Sequence, residues 1–234
     1  MKIEKICQSI DKKHQELGHT LGWRFINSSS DTIKENSGIC LITLNPSGNT
    51  FEKSICVLKN KKNAYLDESW GNKDVGKDKL QIQIQHLFNE IHTRTNTYEN
   101  NEILIRNSFM AHFVPFRSNT FDELHNKNLS VEFSKQIWRQ ILNSENFKFS
   151  IIICIAKEHF EFVNEILLEK YELNITKELN TGWGAYKAII NQYSIENRKL
   201  KIIYLQHLSR FSIFNRKENK GKPEIERIFN YLLK

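Results

Sequence analysis

Residues 38–48, with the sequence Gly-Ile-Cys-Leu-Ile-Thr-Leu-Asn-Pro-Ser-Gly, join an apolar run to an abrupt polar end. An apolar run of this length is typical of a strand that is buried on both faces of a sheet. Asn, Pro, Ser and Gly follow directly, and these residue types form turns. The stretch therefore predicts an interior strand that presents polar side chains at its carboxyl end.

Three further apolar runs have the same character, at residues 108–114, 149–155 and 200–205. Apolar residues at helical spacing separate them, at residues 3–17, 80–91, 133–142, 160–167 and from Pro223 onward. A hairpin excursion is expected over Tyr171–Ile195, with its turn at residues 180–182. Strands that alternate with helices form parallel sheets covered on both faces. We therefore expect an α/β fold in one domain, residues 1–234, with a three-layer α/β/α sandwich around a mainly parallel four-stranded sheet.

Polar residues follow several of the predicted strands, which is where a parallel sheet binds its ligands. Two of the three prolines, Pro46 and Pro115, lie at strand exits. The last strand is followed by residues 206–212, Gln-His-Leu-Ser-Arg-Phe-Ser. The residues just beyond the strands are therefore the candidates for chemistry.

The net charge of +7 over 234 residues is concentrated near the carboxyl terminus. From Lys199 onward the chain has nine Lys or Arg residues against three Asp or Glu, whereas the preceding part is almost neutral. A basic end on a near-neutral body indicates a polyanion partner on one face. A solvated terminal helix explains the same charge.

Several protein classes are excluded by their missing signals. No apolar run is long enough for a membrane span. The first residues form a charged helical pattern, so a secretory signal peptide is not expected. The sequence has no Cys-x-x-Cys pair, no His spacing typical of metal sites and no glycine-rich phosphate loop. We expect a cytoplasmic monomer with no membrane contact, no metal and no nucleotide or other cofactor. Cys40 and Cys154 are expected to be reduced core thiols.

Two strand-end motifs resemble those of the uracil-DNA glycosylase superfamily, in its mismatch-specific and single-strand-selective branches. Residues 44–48, Leu-Asn-Pro-Ser-Gly, are similar to the family motif Gly-x-Asn-Pro-Gly. Residues 207–212, His-Leu-Ser-Arg-Phe-Ser, are similar to the family motif His-Pro-Ser-x-x-Ser, with Leu in place of Pro. Residues 113–117 resemble the segment between these motifs, and residues 22–25, Gly-Trp-Arg-Phe, resemble one that precedes them. The matches follow the family's order along most of the chain.

The resemblance implies cleavage of the N-glycosidic bond of a nucleotide that is flipped out of DNA. Asn45 would position the attacking water, which a carboxamide can orient but cannot deprotonate. His207 would donate a hydrogen bond to the departing base and stabilise its developing charge. Each residue also has an ordinary explanation, since residues 45–48 suit a simple turn and His207 suits a buried strand end.

The expected base pocket departs from the family at one position. The family's base-reading Asn is matched by His112, which permits a different or bulkier base than uracil. Tyr65 and Trp70 are candidates for the aromatic face on which a flipped base stacks. Glu68 is a candidate for assisting the water. The ordinary alternatives are that Tyr65 and Trp70 are half-buried packing residues and that Glu68 is a surface carboxylate.

DNA contacts are expected from both motifs and from the basic segment that follows. Ser47, Ser209 and Ser212 would bind phosphates, and Phe211 would enter the base stack as a wedge, unless it anchors the terminal helix. Trp183, between two glycines, would contact DNA, cover the site or fill the core. The expected DNA-binding residues are Ser47, Gly48, Ser209, Arg210, Phe211, Ser212, Arg216 and Lys217.

These features predict a monofunctional DNA N-glycosylase, a hydrolase of base excision repair. Its substrate would be a uracil-like, damaged or modified base in double- or single-stranded DNA. One alternative keeps the chemistry but changes the substrate to a hypermodified base of viral DNA, which would make the protein an antiviral defence enzyme. Another is a catalytically silent DNA-binding module of the same fold. Formation of abasic sites distinguishes an enzyme from a silent module.

Overall fold

The computed structural model describes residues 3–34, 38–144, 148–195, 198–217 and 220–234. Within these ranges the chain forms eight helices and six strands. The helices are α1 (Ile3–Glu16), α2 (Asp31–Lys34), α3 (Ala64–Asp67), α4 (Lys79–Thr95), α5 (Asn101–Arg106), α6 (Lys127–Leu142), α7 (Lys157–Leu168) and α8 (Lys222–Leu233). The strands are β1 (Ile39–Thr43), β2 (Phe109–His112), β3 (Ile151–Cys154), β4 (Glu172–Asn180), β5 (Lys187–Ile195) and β6 (Arg198–Tyr204).

The six strands form a single mixed sheet in the order β2-β1-β3-β6-β5-β4. Strands β2, β1, β3 and β6 are parallel, whereas β5 is antiparallel to both β6 and β4. The α/β class is therefore confirmed, and the predicted count of four strands is wrong. The sequence predicts the hairpin of β4 and β5 as an excursion, but the hairpin extends the sheet because it pairs with the open edge of β6.

Helices pack on both faces of the sheet because its central strands are apolar on both sides. Every residue of β1 is buried. Cys40 and Ile42 contact the core formed with α1, α6 and α7. Ile39 and Leu41 contact the core formed with α3, α4, α5 and α8. The apolar run therefore places β1 inside the molecule, with its carboxyl end near the middle of one edge of the sheet.

Helix ends follow their local sequence signals. Helix α1 ends just before Gly18, which adopts a φ of +70°. Helix α4 begins with a capping box formed by Asp78 and Gln81, and α8 has Pro223 in its first turn. None of the helices within the described ranges combines the length and the apolar character that crossing a bilayer requires.

An extended segment, residues 23–29, covers the outer edge of β2. Asn27 donates its backbone N–H to the oxygen of Met110 at 2.7 Å, and His112 donates to the oxygen of Phe25 at 2.8 Å. Because this segment runs beside β2, it carries its own polar side chains toward the carboxyl edge of the sheet.

Two of the four cysteines are paired. Cys7 in α1 forms a disulfide with Cys56, which lies 49 residues further along the chain, and their Cα atoms are 5.6 Å apart. Because the two cysteines are far apart in the chain, the sequence does not predict this disulfide. Cys40 and Cys154 are free and buried, as the sequence predicts.

Candidate functional site

The carboxyl ends of the parallel strands bring Asn45, His112 and His207 to one edge of the sheet. The pairing register places the ends of β2, β1, β3 and β6 at the same level. Asn45 follows β1, His112 ends β2 and His207 follows β6. Strand β3 lies between β1 and β6, so the exits of those two strands are about 10 Å apart. The strands that Asn45 and His207 follow therefore flank β3.

The amide nitrogen of Asn45 is held by the protein. Its Nδ2 donates to Ser118 Oγ at 2.8 Å and to the backbone oxygens of Pro46 and Phe116 at 3.2 and 3.4 Å. Its Oδ1 accepts no hydrogen bond from the described residues. The side chain is therefore fixed with an acceptor oxygen left over, an arrangement that can orient a water molecule.

The turn after Asn45 is shaped by Arg117. The Arg117 guanidinium donates to the backbone oxygen of Ser47 and pairs with Glu52 at 2.6 Å. Gly48 has a φ of +129°, and a Cβ there would lie 2.9 Å from Arg117 Nη1. Glycine is therefore required at position 48, and the exposed Ser47 is carried on a rigid turn.

His207 is oriented by Ser209. Ser209 Oγ lies 2.7 Å from His207 Nδ1. Burial lowers the pKa of His207 below its ordinary value, and the charge of Arg210 lowers it further against the opposing effect of Glu158. The ring is therefore neutral at pH 7. Ser209 thus contacts His207 directly and is less available for phosphate binding than its motif position predicts.

A second histidine, His159, lies close enough to His207 for the two rings to interact electrostatically. It is fully buried near the start of α7, and its Nε2 accepts a hydrogen bond from the N–H of Ala156 at 3.3 Å. Burial lowers the pKa of His159 to about 3, and His207 contributes to that shift. The sequence offers no signal for its proximity to His207, which depends on how α7 packs against the sheet.

Both ring nitrogens of His112 are engaged within the protein. Nε2 lies 3.0 Å from Asn27 Nδ2, and Nδ1 lies 2.8 Å from Thr43 Oγ1. Burial and the charges of Arg24 and Arg117 lower the pKa of His112 well below its ordinary value. A neutral ring that accepts from Asn27 carries its proton on Nδ1 and donates it to Thr43. His112 therefore has no free ring nitrogen with which to read a base.

Asn27 is the polar residue that the motif comparison misses. It is 1% exposed, and its Oδ1 has no hydrogen-bond partner among the described residues. A buried amide oxygen without a partner is unusual and costly, so it requires an explanation. Asn27 lies two residues beyond the Gly-Trp-Arg-Phe segment, and the only sequence signal for it is that proximity.

Glu68 is held by Arg24 instead of facing the site freely. Arg24 forms two hydrogen bonds with Glu68, at 2.6 and 2.7 Å, and Trp70 Nε1 donates to the same carboxylate at 3.0 Å. Although burial raises the pKa of Glu68, the hydrogen bonds and charge of Arg24 bring it below its ordinary value. A low-pKa carboxylate in a two-point ion pair is a poor general base, so Glu68 positions Arg24 and Trp70.

Tyr65 and Trp70 lie together beside this ion pair. Their ring centroids are 5.4 Å apart in an edge-to-face arrangement. Tyr65 is 1% exposed, and burial raises its pKa to about 12. Trp70 is only half-buried, so it is the more accessible of the two aromatic surfaces.

Phe211 packs against two aromatic residues of the hairpin turn. Its ring centroid lies 4.5 Å from that of Tyr186 and 6.4 Å from that of Trp183. Phe211 and Trp183 are half-buried, whereas Tyr186 is 43% exposed. Phe211 contributes to a cluster and does not project alone.

The remaining predicted DNA-binding residues lie along the loop after β6. Arg210 and Lys217 are exposed, and Ser212 is half-buried. Arg216 instead donates to the backbone oxygen of Gly182 and stacks on Trp183, with 4.6 Å from its guanidinium carbon to the ring centroid. Arg210 and Lys217 are therefore the more accessible cations of this loop.

Within the described residues, no three His, Cys, Asp or Glu side chains are arranged to hold a metal ion. Comparisons of the chain with protein-family models, with curated proteins and with solved structures found no significant match.

Proposed function

We propose that the protein is a monofunctional DNA glycosylase that hydrolyses the N-glycosidic bond of a flipped nucleotide held between Asn45 and His207. One observation carries the proposal. Asn45 and His207 follow the two strands on either side of β3. Each side chain has one polar atom held by the protein and a second that accepts or donates no hydrogen bond within the described residues. Asn45 is held through Nδ2, and His207 is held through Nδ1. Pre-oriented groups of this kind cost no reorganisation during the reaction.

Asn45 serves as the acceptor for the attacking water. Its free Oδ1 accepts one hydrogen of the water and directs a lone pair toward C1′ of the sugar. The water oxygen bonds to C1′ as the bond to the base nitrogen breaks, and the electron pair leaves with the base. Because an amide cannot take the proton, that proton passes to solvent. The rate then depends on how well the base accepts the electron pair.

His207 serves as the donor to the departing base. A Ser209 hydroxyl that donates to Nδ1 places the single proton of the neutral ring on Nε2. That N–H can donate to a base carbonyl oxygen as negative charge develops there. Ser209 is thus a positioning residue in this mechanism.

Asn27 serves as the base-reading group, which requires that the bound base displace the side chains that cover its buried Oδ1. Its Nδ2 is committed to His112, so only its Oδ1 acceptor remains for a ligand. A base that donates an N–H to this oxygen removes the cost of leaving it unpaired. His112 acts through Asn27 by fixing the orientation of the amide.

The test is the formation of abasic sites. Oligonucleotides that carry deaminated, mismatched, alkylated or hypermodified bases are incubated with the protein, treated with alkali and resolved by size. We expect cleavage at one class of base, and we expect Asn45→Ala and His207→Ala to reduce it at least a hundredfold while DNA binding is retained.

Asn89→Ala, an exposed change on α4, serves as the matched control and leaves cleavage unchanged. If no base in the panel yields an abasic site while salt-sensitive DNA binding persists, the protein is a silent DNA-binding module. Cleavage at hypermodified bases alone favours the defence alternative over repair.

A further inference from the structure

The turn between β4 and β5 carries an aromatic cluster at the candidate site. We define the aromatic tip as Trp183, Tyr186 and Phe211, in which the Phe211 ring contacts the other two rings as described above. Tyr186 is one of the few large apolar or aromatic side chains in the described ranges that are strongly exposed, at 43%. An aromatic surface of this kind at a site edge is suited to a stacking ligand.

The aromatic tip adjoins His207 through the backbone. Because β5 is antiparallel to β6, the start of β5 lies beside the end of β6. The N–H of Phe211 donates to the backbone oxygen of His207 at 3.0 Å. Gln206 Nε2 donates to the backbone oxygen of Lys187 at 2.8 Å. The hydrogen bond between Gln206 and Lys187 joins the residue before His207 to the residue after Tyr186, so the two segments are adjacent.

The turn that carries Tyr186 is rigid. Thr181 Oγ1 and the N–H of Thr181 both donate to the backbone oxygen of Tyr186, at 2.9 and 3.1 Å. The N–H of Tyr186 donates to the oxygen of Trp183 at 3.1 Å. Arg216 ties the turn to the loop after β6 by bonding Gly182 and stacking on Trp183. A ligand that stacks on Tyr186 therefore meets a surface that is already ordered.

We propose that the aromatic tip is a stacking platform for an unpaired DNA base next to the nucleotide in the site, so that the protein prefers single-stranded DNA. The identity of the ligand rests on the proposed function. A base in a duplex is already stacked on both faces, whereas an unpaired base can place a face on an exposed ring. Phe211 is half-buried against its two neighbours whereas Tyr186 is exposed, so Tyr186 is the ring that a base meets.

The charges around the aromatic tip are of both signs. Lys187 is exposed and pairs with the equally exposed Glu178 at 2.9 Å. Arg210, next to Phe211 in the sequence, and Lys222, next to Gly221, are both exposed. Glu224 lies close to Gly182 and is the opposing acidic group on α8. Glu158 also acts on His207, and Asp122 lies close to Arg210. Cations and carboxylates are therefore both present in this region, and the exposed ring of Tyr186 is the feature that favours a stacking ligand.

The test is equilibrium binding of a fluorescent single-stranded oligonucleotide and of the same sequence as a duplex. We expect Tyr186→Ala to weaken single-strand binding about tenfold and to leave duplex binding unchanged. Tyr186→Phe keeps the ring and retains wild-type binding. Leu168→Ala removes a side chain that is 54% exposed at the end of α7 and is the matched control, without effect.

The platform is overturned if Tyr186→Ala binds single strands as the wild type does, or if it weakens the binding of both forms of DNA equally. A duplex preference of the wild-type protein overturns it as well. The outcome is separable from the proposed chemistry. If Tyr186-dependent single-strand binding occurs without abasic sites, the platform stands and the glycosylase fails. If abasic sites form and Tyr186→Ala does not change DNA binding, the glycosylase stands and the platform fails.

Discussion

Asn27 and His112 share a buried hydrogen bond of 3.0 Å that connects the extended segment 23–29 to strand β2. One residue lies on the segment that covers the edge of β2, and the other ends β2 itself. Because the two side chains are hydrogen-bond partners, removal of either leaves a buried nitrogen of the other without this hydrogen bond. This pair is the residue-scale feature on which the shape of the proposed base pocket depends.

We expect Asn27→Ala and His112→Ala each to lower the free energy of unfolding by about 1–3 kcal/mol. The double variant should lose clearly less than the sum, because neither partner then remains unpaired. Urea denaturation of the four proteins measures the coupling. Losses that add within about 0.5 kcal/mol would show that the two side chains do not interact.

At the scale of elements, the hairpin of β4 and β5 does more than widen the sheet. Its turn contacts both the loop after β6 and the start of α8. Gly182 makes the second contact possible, since a Cβ at this position would lie 2.5 Å from Gly221 Cα. Gly184, two residues later, has nothing within 4 Å of the same added atom.

Both glycines have positive φ, at +72° for Gly182 and +53° for Gly184, so alanine is strained at either position. Only at Gly182 would the added Cβ also clash, so comparing the two substitutions distinguishes backbone strain from steric clash. We expect Gly184→Ala to lower the free energy of unfolding by about 1 kcal/mol, from strain alone. Gly182→Ala should cost about 3 kcal/mol, because the backbone of the neighbouring turn must also move. Thermal unfolding measures both, and equal losses would mean that the turn yields freely at Gly182.

At the scale of the whole molecule, buried histidines make stability depend on pH. His19 is 8% exposed and stacks on Phe116 with 4.3 Å between ring centroids. Burial lowers its pKa to about 4, and nearby His14 and His125 contribute to the shift. Burial likewise lowers the pKa of His159 to about 3. Both rings are neutral in the folded protein at pH values where the unfolded chain binds protons.

We expect the free energy of unfolding to be nearly constant between about pH 7 and 7.5 and to fall as the pH decreases from 6.5 toward 4. Each such histidine contributes a slope of up to about 1.4 kcal/mol per pH unit. Urea denaturation between pH 7.5 and 4.5 measures the slope, and His19→Gln should reduce it. The control Asn89→Ala keeps the wild-type slope. A stability that is flat over this range would contradict the assigned burial of these rings.

Local patterns in the sequence determined the α/β class, the interior strands, the main helices and the strand-end positions of Asn45, His112 and His207. These features depend on residues close together in the chain, because apolar periodicity and turn composition act over a few positions. The tertiary structure alone decided which polar groups meet. Arg24 pairs with Glu68 across 44 residues, and Asn27 pairs with His112 across 85. It also decided that the hairpin joins β6 and places Tyr186 beside the end of that strand, since strand pairing and side-chain desolvation depend on segments that only folding brings together.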